Sequence, residues 1–319
     1  LLDSFSSSTL VESKYDVSNW RILLAFVPGH ELSQTLYEEI VSPLMARLFP
    51  DVPWAAALIG EGSDVLGYDT ERSMDHDWGP RLNILLQESD IGEYKPHLLA
   101  ALDTALPRDI LGIPIDIPPS SDLPGDEAQH HHVAGDGRTH GVRIDTAHDV
   151  LLGALGVDSI GQFQLTHWLT TPQQTILELV SGPQFRDDFG VLTDVRRMLA
   201  WYPDDLWRYQ MAARWKRIAQ LEAFVGRCGE LGDDLGSHLV AMSLIDDAIK
   251  LAFLQERRYA PYAKWVGTAF SRLDSAAHLG PAFEQIRYAH SWQAREAGLV
   301  TVMVHLGDRH NTLSLTESI

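Results

Sequence analysis

Residues 62–77 bring two kinds of chemistry within a short reach. Gly62 and Ser63 follow the apolar run Trp54–Ile59, and eleven residues, Asp64 to Met74, separate Ser63 from the acidic pair Asp75 and Asp77. A Gly-Ser step leaving a strand offers backbone N–H groups and a hydroxyl to a polyphosphate, because glycine lets the backbone approach closely. Carboxylates two apart at the start of a strand share one face. They repel unless a cation sits between them. Mg²⁺ is hard, takes oxygen ligands, and is usually held by one or two carboxylates plus substrate phosphates. Such an ion stabilises the attacking and leaving oxygens of an in-line displacement. Arg72 adds a charge-assisted contact to a phosphate. A P-loop is excluded, since Tyr68 stands where its lysine belongs. A Ca²⁺ loop is excluded, since Gly79 is fifth from Asp75 rather than sixth. The spacing fits a nucleotidyl-transfer site.

The elements that must position this site follow from periodicity. Leu32, Leu36, Ile40, Leu44 and Leu48 predict a helix over 31–49, stopped by Pro50 and Pro53. Trp54–Ile59 reads as a buried strand and Asp77–Leu86 as its successor. A helix is expected over 94–106. Pro114 demotes 110–117 to an edge strand or extended loop. Ser120–Thr139 reads as a mobile, solvated loop that includes His130–His132, and Val142–Thr146 as a further strand. Beyond residue 146 the pattern is helical, with helices expected over 149–169, 173–180, 193–201, 205–227, 235–258, 261–273 and 282–306.

The chain has 319 residues, 45% hydrophobic and 22% charged, which suits an ordinary globular protein of about two domains. Twenty-five basic against 44 acidic residues give a formal charge of −19. That balance argues against nucleic acid and anionic membranes as partners, and it favours a cationic small molecule. The single Cys228 excludes an internal disulfide framework. No apolar run is long enough for a membrane helix, and residues 1–18 lack a secretory pattern. A cytoplasmic enzyme or binding protein is expected.

The stretch Gly62-Ser63-Asp64-Val65-Leu66-Gly67-Tyr68-Asp69, with Asp75-His76-Asp77-Trp78-Gly79-Pro80, resembles the signature of the nucleotidyltransferase superfamily. More narrowly it resembles the family known as domain of unknown function 4037. Trp201-Tyr202-Pro203, Gly226-Arg227-Cys228-Gly229, Gly232-Asp233 and Arg258-Tyr259-Ala260-Pro261-Tyr262-Ala263-Lys264-Trp265 extend the likeness over about residues 29–316. The pattern along the chain predicts an α+β fold in three parts: an N-terminal arm (1–22), a small domain with strands and flanking helices (23–155) and an all-α helical domain (156–319). The resemblance implies that the first domain is a mixed-sheet nucleotidyltransferase domain and that the second is like that of aminoglycoside nucleotidyltransferases. It implies Mg²⁺ or Mn²⁺, and ATP as the donor of AMP to a small acceptor, with release of pyrophosphate; that the acceptor is cationic is expected from the acidic balance alone. Asp75 and Asp77 carry over as metal ligands, Gly62 and Ser63 as triphosphate contacts.

In this branch the third carboxylate of the superfamily is expected where Arg143 stands. Asp145, two residues on and on the same face, is the substitute expected to complete the metal site or act as base; Asp116 is the weaker candidate. Lys264 is expected to reach a phosphate from the helical domain, against the plainer reading of a surface lysine beside Trp265. Two rivals remain. Arg143 favours a degenerate member that binds nucleotide or a partner protein without transfer. Asp-x-Asp alone would also suit a glycosyltransferase holding a nucleotide sugar.

Overall fold

The computed structural model describes residues 25–75, 78–116, 132–133 and 139–318, with only the backbone described at Asp75, His132 and Val133. The fold is of the α+β class, as expected. A five-stranded mixed sheet has the order β5-β6-β2-β1-β7. Its strands are β1 (Trp54–Ala57), β2 (Arg81–Leu86), β5 (His132–Val133), β6 (Thr139–Thr146) and β7 (Gln184–Asp187). A separate two-stranded ribbon joins β3 (Asp109–Ile110) to β4 (Ile113–Pro114), where an edge strand or extended loop was expected around Pro114. β1 and β2 are antiparallel neighbours, and β6 runs parallel to β2.

One face of the sheet carries the larger core. Leu82, Ile84 and Leu86 of β2 and Val142 and Ile144 of β6 pack there, following the period-2 alternation of a strand. The covering helices are α1 (Gly29–Thr35), α2 (Ser42–Leu48) and α3 (Glu88–Ala105), with a π-helical insert, Leu36–Val41, joining the first two. Leu32, Leu36, Leu44, Leu98 and Leu102 supply their buried side. The opposite face is thinner. Ala55, Ala57, Ile59 and Leu85 meet Leu192, beside Ala147 and Val150 of α4 (Ala147–Leu155). A capping box between Thr146 and Asp149 starts α4, and Gly156, at φ 68°, ends it in the left-handed conformation that glycine tolerates.

Nine more α-helices follow among the described residues: α5 (Leu165–Thr170), α6 (Gln173–Val180), α7 (Val191–Met198), α8 (Asp204–Leu221), α9 (Phe224–Glu230), α10 (Asp234–Gln255), α11 (Val266–Phe270), α12 (Ala276–Arg287) and α13 (Trp292–Thr312). They enclose a second core around Leu244, Leu251, Ile286 and Val302. No helix of the described residues is long and apolar enough to cross a membrane. The sheet itself reaches past residue 155, because β7 comes from the helical region and pairs with β1. Leu58 N–H donates to Pro183 O at 2.9 Å and Gly60 N–H to Glu178 O at 2.9 Å, so the end of β1 is clamped by the helical region.

Candidate functional site

The chain leaves β1 through a wound loop fixed both by its own backbone and by Arg81 of β2. Gly62 has φ +138°, a conformation that side chains resist. A Cβ there would also strike the Asp64 carboxylate and the Arg81 guanidinium. Those two groups form a fork: Arg81 Nε donates to Asp64 Oδ2 at 3.0 Å and Nη2 to Oδ1 at 2.5 Å. Nη2 also donates to Glu61 O at 2.9 Å. The Asp64 side chain is 1% exposed and that of Arg81 16%, so this bidentate pair is largely buried. Gly141 on β6 leaves room for the Arg81 stem; a Cβ there would come within 2.7 Å of Arg81 Cγ. Tyr68 N–H closes the loop on Ser63 O at 2.8 Å.

The two halves of the motif meet at a pair of hydroxyls. Ser63 Oγ donates to Ser73 Oγ at 3.2 Å, and Ser73 Oγ also accepts from Thr70 N–H at 3.1 Å. Ser73 belongs to the 3₁₀ turn Glu71–Asp75, which ends at Asp75 and carries the exposed Arg72. Met74 and Trp78 are buried in the larger core on either side of the acidic pair. Asp69 Oδ2 ties the approach by accepting from Gly29 N–H at 2.7 Å and Trp78 Nε1–H at 3.1 Å. The Asp75 side chain and all of Asp77 lie outside the described residues.

Asp145 stands elsewhere. Arg81 is level with Gly141 and Leu85 with Asp145, so Asp145 is four residues along the sheet from Arg81, about 13 Å at 3.3 Å per residue. Leu85 is level with Ala55, at the beginning of β1, whereas the Gly-Ser turn leaves its end. Asp145 faces Arg143 Nη2 at 3.5 Å and Lys95 Nζ at 3.9 Å. The strand alternation places Arg143 and Asp145 on one face, as expected, but the register sets the acid apart from the turn. Asp116 is engaged as a latch: its Oδ1 accepts from Thr139 N–H and Oγ1–H, both at 2.8 Å. Among the described residues no three His, Cys, Asp or Glu side chains could hold one metal ion.

Lys264 is exposed and lies beside Trp265. Its Nζ lies 5.2 Å from the Trp265 ring centre, and Trp265 stands 5.9 Å from Tyr68. Arg272 covers the Tyr68 ring at 4.5 Å and donates to Gly67 O at 3.0 Å. Gln174 Oε1 accepts from Tyr262 N–H at 3.2 Å and Gln173 Oε1 from Ala260 N–H at 2.6 Å, which fixes the Arg258–Trp265 segment on α6. Burial pushes the Tyr68 hydroxyl up, against the pull of Arg272 and Arg258. Tyr262 is raised too, by burial first and then by the charges of Glu178 and Glu61. Both phenols are therefore neutral donors at pH 7.

Sequence reasoning missed Arg81 and Arg272 at the turn. The signal for Arg81 was an arginine opening a strand otherwise made of Leu, Asn and Ile, on the face it shares with Asn83. No sequence signal marks Arg272, which lies 205 residues from the carbonyl it holds.

Residues 168–266 match the family model described as "Domain of unknown function (DUF4037)", the family that the sequence resembles. The Gly-Ser turn and the acidic pair lie before that span. Among solved structures the chain is similar to a nucleotidyltransferase-like protein from Exiguobacterium sibiricum 255-15, with 12% identity and a TM-score of 0.37 over 87% of this chain and 75% of that one. No curated protein matches the chain.

Proposed function

We propose that the chain is a nucleotidyltransferase that moves AMP from ATP to a small acceptor. The hydrogen bond between Ser63 and Ser73 carries this reading. It holds the phosphate-gripping turn against the very segment that ends in Asp75. Gly62 and Ser63 would hold the triphosphate through backbone N–H groups and a hydroxyl. Arg72 and Lys264 would approach it from either side. The acceptor oxygen would attack the α-phosphorus, forming an O–P bond as the bond to the β-phosphate oxygen breaks and pyrophosphate leaves. The acceptor proton would pass to a carboxylate or to solvent.

Two closely spaced carboxylates suit a hard cation, so Asp75 and Asp77 are the residues that would hold Mg²⁺ or Mn²⁺. The ion, when bound, would supply charge neutralisation on the phosphates. Asp145 has no part in this reading, because its register sets it apart from the turn. The test is pyrophosphate release from ATP and Mg²⁺ across a panel of hydroxyl- and amine-bearing acceptors. The wild type should release it with at least one acceptor, and Asp77→Asn should lower the rate by about a thousandfold or more. Equal rates in the two proteins would end the proposal.

One observation favours a second reading. Arg143, level with Asn83 on the strand beside β2 and facing Asp145, stands at the position where the resemblance would put the third carboxylate. A protein that binds nucleotide without turnover fits an arginine there. ATP binding with no pyrophosphate from any acceptor would select it.

A further inference from the structure

The helix α10 is the central helix of the second core, yet its outward side is apolar. Residues 235–245, Leu-Gly-Ser-His-Leu-Val-Ala-Met-Ser-Leu-Ile, hold no Asp, Glu, Lys or Arg, in a chain that is 22% charged. Ala241, Leu244 and Ile245 point inward and are buried. Leu235, Leu239 and Met242 recur at helical spacing on the opposite side and are 71%, 61% and 37% exposed; Leu231, in the turn between α9 and α10, is 87% exposed. Such a stripe presents on the order of a few hundred Å² of contiguous apolar surface, about the largest that monomers leave to water.

The charges that bound the stripe differ at its two ends. Glu230, Asp233 and Asp234 lie exposed where the helix begins; Asp234 is paired with the buried Arg295, so three carboxylates against one cation leave that end negative by two, by 3 − 1. Near its other end Arg214 and Arg217 reach across from α8 to Asp247, each at 2.7 Å, and Lys250 pairs with Asp246 at 2.6 Å. Three cations against two carboxylates leave that end positive by one, by 3 − 2. An acidic end and a basic end on one stripe are self-complementary under a two-fold axis.

We infer that this face of α10 binds a second copy of the chain, the two α10 helices running antiparallel. An axis near Leu239 sets Leu235 against the second copy's Met242. It also brings Glu230 and Asp233 level with the second copy's Arg214 and Arg217. The pairing hides the stripe, and the opposite charges at its ends set the register against the general repulsion of two molecules that each carry a formal charge of −19. A stable interface buries about 800 Å² per partner, so the charged rim contributes area as well as register.

The test uses the full chain in sedimentation velocity from about 1 to 100 µM. A dimer is expected, weakened at least tenfold by Leu235→Glu with Leu239→Glu, at unchanged circular dichroism, because both side chains stand in water in the single chain. In a Cys228→Ser background, Leu239→Cys should be crosslinked between copies by a short bismaleimide, and Leu152→Cys on α4 should not. A chain that stays monomeric at 100 µM overturns the inference and leaves the face to a different polypeptide. So does a dimer that the double substitution leaves intact, or one in which position 239 fails to crosslink.

Discussion

Two arginine–aspartate pairs lie on the same side of the same sheet, one near each end, and they behave differently. At the turn, Arg81 and Asp64 form a fork with the carboxylate 1% exposed, and the arginine also holds a backbone carbonyl. At the other end, Arg143 faces Asp145 at 3.5 Å, with side chains 38% and 20% exposed. Gly62 and Gly141 both make room for the first pair. The difference is one of desolvation. A largely buried bidentate pair is costly to break, whereas a half-wet single contact is worth little. The turn is the end of the sheet where charge has been used to fix backbone, and backbone is what grips phosphate in the proposed reaction.

The sharpest break in that contrast is Gly62→Ala. The new methyl group meets both members of the fork, and the backbone angle resists any side chain. A loss of about 3–5 kcal/mol in unfolding free energy is expected, with nucleotide binding lost as well. Urea denaturation measures it. A variant that unfolds with the wild type would mean that the loop relaxes freely and is no rigid cradle.

Asp64→Asn comes next. It leaves the Arg81 guanidinium, 16% exposed, facing an amide in place of its countercharge. About 2–3 kcal/mol should be lost. Asp145→Asn, its counterpart at the far end, should cost under about 1 kcal/mol and leave pyrophosphate release within about threefold of the wild type. If the second substitution abolishes release while the first does not, the two ends exchange roles, and Asp145 returns as the missing carboxylate.

Much of this was legible in the sequence, and the failures have physical causes. The Gly-Ser and Asp-x-Asp spacing located the turn, and alternation correctly placed Arg143 and Asp145 on one face. Alternation repeats every two residues, however, so it states the face and never the level. The height of Asp145 along β2 came only with the parallel register. β2 begins at Arg81 rather than Asp77, because Pro80 has no N–H to give a ladder. Gln184–Asp187 carries no strand signal in the sequence, since Phe185 is its only apolar residue; it is an edge, paired on one side. The long helix expected over 205–227 breaks at Glu222–Ala223 into α8 and α9 with no proline or glycine at the break.

The smallest effect concerns Glu178, whose carbonyl oxygen clamps Gly60 and whose side chain lies near Glu61 in charge terms. Burial raises its carboxyl, Glu61 adds to the rise, and the Gln174 amide hydrogen bond works against both. The folded protein therefore keeps this proton to a higher pH than the unfolded chain does. Between the two values the native state binds more protons, so stability falls as pH rises through that window. Glu178→Gln cannot ionise and still accepts from Gln174. It should melt slightly higher than the wild type at pH 7, and the gap should close toward about pH 4, where an ordinary glutamate is half protonated. Thermal melts at the two pH values measure this. A lower melting point for Glu178→Gln at neutral pH would mean that the carboxylate is stabilised in place. The rim of the turn would then prefer negative charge, contrary to a site meant for a triphosphate.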